Sequence, residues 1–145
     1  MCFLVTSATS GWCADVTKKH KDFTAAIPAV QSRGTEAQKQ INALNAQRKT
    51  ADADLQKARK AIADATAARD KADAATKSKF EEQLKKANVA FGAATGKIGQ
   101  LDKQLAGANN ALKARQAELK AAQDKAAKAE AELNAANNKL AALIC

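Results

Sequence analysis

Apolar residues recur at alternating steps of three and four through most of this chain, a period that fits a helix and no other regular structure. From Ile98, one position of the repeat reads Ile98, Leu105, Leu112, Leu119, Ala126, Leu133 and Leu140. The other reads Leu101, Ala108, Arg115, Ala122, Ala129, Ala136 and Leu143. Upstream, Ile41, Arg48, Leu55, Ile62 and Arg69 alternate with Leu44, Ala51, Ala58, Ala65 and Ala72. This is the seam of a coiled coil, and one side of it is mostly large while the other is mostly small. Composition agrees: Tyr is absent, Pro occurs once and aromatics make up 3% of the chain, so strand formers are scarce. Alanine buries little area, so stability must accumulate along the whole length of each helix, and a rod is the expected shape.

The punctuation divides the 145 residues into segments. Residues 1–13, with Phe3, Trp12 and a Thr/Ser/Gly run, read as an irregular cap, its apolar start a buried plug. A short helix over 14–33 carries Val16, Phe23, Ile27 and Val30 on one side, and Pro28 predicts a kink in it, with Thr24 capping the second part. Gly34 ends that helix, and Thr35 with Gln38 forms a capping box for a long helix over 35–94. Its phase slips once, where Ala72, Thr76 and Phe80 are spaced four and four. Such a slip is either a stutter that locally unwinds a supercoil or a break near residue 77, capped by Ser78 and Glu81.

The segment Gly92-Ala-Ala-Thr95-Gly96-Lys-Ile-Gly99 has three glycines in eight residues, each costing a helix interior about 1 kcal/mol against alanine. A turn at 95–99, marked by Thr95, Gly96 and Gly99, folds a return helix over 100–144 back along the first. Reflection there sets Ile62 against Ala129, Ala58 against Leu133, Leu55 against Ala136 and Ala51 against Leu140. Large faces small, which is how close-packed layers interdigitate. The pattern resembles the Alacoil packing motif. The expected fold is therefore all-α: a long antiparallel helical hairpin, an Ala/Leu heptad coiled coil, with the short N-terminal helix folded back on it.

Three cysteines stand at the extreme ends of an otherwise Cys-free chain. Folding places Cys145 near the N-terminal cap, so it is expected to pair with Cys13 or Cys2 as a staple. An odd count leaves one thiol over. Staples point to an extracytoplasmic or secreted protein; the alternative is three reduced thiols in a cytoplasmic one.

Nothing in the sequence builds a reaction centre. His20 is the only histidine, and no CxxC or HxxxH spacing accompanies it, so no metal or other cofactor is expected. The glycines at 92, 96 and 99 lack the strand before and the Lys-Ser/Thr after that make a phosphate loop. No small-molecule substrate is expected, and the chain reads as a non-enzyme. Arg48, Arg69 and Arg115 occupy seam positions. They either set register or lay an apolar stem over a facing alanine with the head at the edge, Arg69 against Ala122 and Arg115 against Thr76.

The formal charge of +9 is spread thinly: residues 1–50, 51–100 and 101–145 carry seven, ten and seven Lys/Arg against three, seven and five acids. Asp15, Asp73, Glu81, Glu82 and Asp124 each stand four residues before a lysine, the spacing that supports an exposed helix face. Mixed sign without interleaved aromatics argues against a nucleic-acid stripe. No run of about 20 apolar residues is present to span a bilayer.

These features point to a structural coiled-coil protein that self-assembles into a homo-oligomer or filament, a surface fibre being one form. The rival readings are a basic helical module for an anionic surface, nucleic acid or lipid headgroup, and a desiccation-protective helix. Ala61–Lys79 resembles late-embryogenesis-abundant proteins in its Ala/Lys/Asp texture, without their 11-residue repeat.

Overall fold

A computed structural model of the protein describes residues 5–144, with side chains described over 11–142. The molecule is an all-α helical hairpin: α1 (Val5–Lys71) and α2 (Ala74–Ile144) pack against each other, with no strand among the described residues. The hairpin is the expected fold; its turn is not where the glycines stand. The chain reverses at Ala72-Asp73, and Thr95, Gly96 and Gly99 all lie inside α2. The phase slip at Ala72, Thr76 and Phe80 is thus the fold-back itself.

Local chemistry at the reversal explains the choice. The Ala72 amide donates to the Arg69 carbonyl at 3.2 Å, tightening the end of α1. Asp73 then caps α2. Its carboxylate accepts from the Thr76 amide at 2.9 Å and from the Thr76 hydroxyl at 2.6 Å, satisfying a helix-start donor that has no partner of its own. Its carbonyl accepts from the Lys77 amide at 3.0 Å, the first turn of α2. The Thr76 bonds, side chain first and backbone second, hold the Asp73 carboxyl below its ordinary range. A depressed carboxylate contributes stability above its unfolded-state value, near pH 4, and loses it as pH falls through the folded value. Asp73→Ala is expected to lower the melting temperature by a few degrees at neutral pH. The deficit against the wild type should shrink in acid below about pH 4, read by circular dichroism across pH.

The other expected boundaries are also absent. Residues 5–13 are helical rather than an irregular cap, and α1 runs without a break through Pro28 and Gly34. The cap-forming hydroxyls bond instead to carbonyls four residues back: Thr24 to His20 at 2.8 Å, Thr35 to Gln31 at 3.1 Å, Thr95 to Phe91 at 2.9 Å. Gln38 bonds Asn42 at 3.2 Å rather than reaching back to a cap. The physical reason lies in the seam. Val16, His20, Phe23, Ile27, Val30, Gly34, Ala37 and Ile41 are all buried or half-buried and keep the three–four alternation unbroken. Continuous packing along α2 therefore outweighs the local costs of one proline and one glycine.

Two compact units divide the hairpin: Gln38–Asn110, which contains the turn, and Met1–Ala37 with Ala111–Cys145. In the first, Arg48 meets Asp102 and the Arg59 guanidinium lies 5.8 Å from the Phe91 ring centroid, so residues whose numbers total about 150 share a level. Leu55 then stands beside Ala94, Ala58 beside Phe91, Ile62 beside Ala87 and Ala65 beside Leu84, large against small. In the second, Arg33 approaches Glu118 and Lys139 lies over the Trp12 ring, so the same total of about 150 holds there. There Phe23 stands beside Ala126, Ile27 beside Ala122 and Val30 beside Leu119. Eight of the twelve buried apolar residues described are alanines, which lets the helix backbones approach closely.

Candidate functional site

The polar residues on the seam resolve into separate arrangements. Arg48 is a cross-helix clamp: Nε donates to Asp102 on α2 at 2.6 Å, and Nη1 to Asp52 on its own helix at 2.9 Å. The Asp102 bond and charge, then Asp52, raise the Arg48 guanidinium above its ordinary value. The charged pair links the two helices across the seam at one level. Arg69 makes no such bridge; its guanidinium turns to the neighbouring Asp70 at 2.8 Å. It stands near the reversal, level with Phe80 rather than with Ala122. Arg115 bonds Glu118 at 2.7 Å on its own helix, level with Gly34 rather than Thr76. Glu118 also lies 3.7 Å from Arg33, so Arg115 supports a cross-helix contact from behind.

Sequence reasoning missed the residues beside the seam. Trp12 and Lys139, Lys19 and Glu132, Arg33 and Glu118 stand on the same edge at shared levels of the second unit. Lys139 sits 5.9 Å over Trp12, and Arg33 3.7 Å from Glu118. Asp54 and Lys97 stand at one level in the turn-containing unit. These complementary positions were readable in the sequence as a fixed numerical total, and they belong to this register alone. Of the five helical acid–lysine pairs expected, one forms: Glu82 to Lys86 at 2.7 Å, whose ammonium lowers the Glu82 carboxyl.

Cys13 is a half-buried free thiol, so a disulfide staple at this residue is not supported. Cys2 and Cys145 lie outside the described residues. His20 occupies a half-buried seam position. No group of three metal-ligating side chains exists among the described residues, and no described helix is long and apolar enough to cross a membrane.

One concave feature lies in the turn-containing unit. It is a shallow groove of about 530 Å³ with an alanine floor, including Ala51, Ala58, Ala87 and Ala94, and with Asp54, Lys57 and Lys97 on its walls. The lining is mainly alanine, with one carboxylate and two ammonium groups at its edge. On the opposite side of the seam, Leu55, Ile62, Leu84, Phe91 and Ile98 remain half-buried. Comparison with known protein families, with characterised proteins and with solved structures finds no significant match to this chain.

Proposed function

We propose that this chain is a non-enzymatic structural protein that self-assembles, in its most concrete form as the subunit of a filament or surface fibre. One observation carries the reading: a two-helix layer leaves its bulky seam residues only half-covered. Leu55, Ile62, Leu84, Phe91 and Ile98 each keep part of their apolar surface in contact with water, while the fully covered positions are mostly alanine. Apolar area removed from water contributes about 25 cal/mol per Å², and alanine has little to offer. Lateral association is the remaining way for such a layer to cover its large side chains. With Cys13 a free thiol, the proposal includes neither a disulfide staple nor a compartment.

The test is mass against concentration. Light scattering and negative-stain imaging of the purified chain are expected to show species heavier than 15.2 kDa that grow with concentration. A monomer persisting at high concentration would defeat the proposal.

A further inference from the structure

The two edges of the hairpin differ in the turn-containing unit. Let Leu84, Phe91 and Ile98 mark position a of the heptad, with Ala87, Ala94 and Leu101 at d. Antiparallel pairing then brings the g positions of both helices to one edge and the e positions to the other. The e edge is polar throughout, with Asn45, Asp52, Arg59, Asn88 and Asp102. The g edge becomes apolar near the turn, where Ala61, Ala68 and Ala90 join the alanines at d. Two apolar positions per heptad make a two-stranded seam, whereas a third at g is the width of a helix that faces a bundle core. The alanine groove opens on this widened edge, and Ala61 and Ala90, both exposed, line it.

We propose that a second copy of this chain covers the g edge, related by a two-fold axis at the level of Ala61. The inference rests on the self-assembly proposed above and gives it one contact, on the alanine edge and separate from the side that holds the half-covered Leu55, Ile62, Leu84, Phe91 and Ile98. Charge selects the occupant. Lys57 and Asp64 share position c and bracket Ala61, four residues before and three after. A two-fold axis there runs α1 antiparallel to the second copy's α1 and sets Lys57 against the second copy's Asp64. The same operation sets Asp64 against the second copy's Lys57, so a single contact is satisfied twice, as an isologous interface requires. Within the chain, Asp64 enters no ion pair with a described residue, and Lys57 has only Asp54, at 3.9 Å. Opposing alanines allow the four helices to approach as closely as the two already do.

Sedimentation equilibrium on the full chain, with circular dichroism on each sample, tests the face. Ala61→Glu with Ala90→Glu is expected to weaken association at least tenfold with helicity unchanged. Asn45→Glu with Asn88→Glu, on the e edge, should still form the two-fold pair through the g edge. Lys57→Asp should weaken association, and adding Asp64→Lys should restore it; this pair decides the matter if the glutamates disturb folding. If the g-edge variant associates like the wild type and the charge swap has no effect, the face is wrong while self-assembly stands. A wild-type chain that stays monomeric overturns self-assembly and this inference with it.

Discussion

Replacing Gly92, Gly96 and Gly99 together by alanine is expected to stabilise the protein by roughly 2–3 kcal/mol, raising its melting temperature by about 5–10 °C. All three lie inside α2, none has a positive φ, and a β-carbon at any of them would meet no neighbouring atom within 4 Å. Each substitution therefore removes backbone freedom from the unfolded chain at no steric cost in the folded one. The three positions are exposed and off the seam, so cross-helix packing is untouched. Urea unfolding followed at 222 nm should move to higher denaturant with little change in slope. A chain that reversed at 95–99 would respond the opposite way, since alanine would force helix through its turn. A loss of stability in the triple variant would therefore contradict the observed topology.

That contrast shows what the sequence did and did not disclose. The heptad seam alone specifies helices and their packing faces, and matching large residues against small ones across it points to an antiparallel partner. It does not specify where the chain turns. A turn at 95–99 puts Leu55 against Ala136 and Ala58 against Leu133; the molecule puts them beside Ala94 and Phe91. Both shifts are 42 residues, which is six heptads, so size matching repeats in either register. Features outside the a and d positions break the tie. Phase slips only at Ala72, Thr76 and Phe80, and Asp73 precedes Thr76 at capping distance there. Arg33 and Lys19 find Glu118 and Glu132 at their levels only when the reversal lies at 72–73. Glycine content is a weaker signal than either, because a helix held by a long seam tolerates a few glycines. The interaction surface was less legible still. The Arg48 clamp was visible as a seam arginine, but its partner Asp102 is identified only once the register is known.

Pro28→Ala is expected to be the largest single-residue stabilisation, by about 2–3 kcal/mol. Pro28 lies inside α1, exposed and between the seam residues Ile27 and Val30, so its ring contributes nothing to the packing of the two helices. In a helix it supplies no amide for the Thr24 carbonyl, and its ring crowds that carbonyl. The Thr24 hydroxyl, which donates to the His20 carbonyl at 2.8 Å, cannot fill the gap, because it is a donor pointed the other way along the helix. Alanine restores the missing donor and relieves the crowding. A smaller opposing effect comes from the unfolded chain, which proline restricts and alanine does not. Hydrogen exchange should reveal the gain locally as slower exchange of the amides around residues 24–32, beyond the global shift in melting temperature. Exchange that is unchanged there, together with an unaltered melting temperature, would mean that the helix is interrupted at Pro28 in solution. The residues before it would then form the separate short helix that a proline in the sequence leads one to expect.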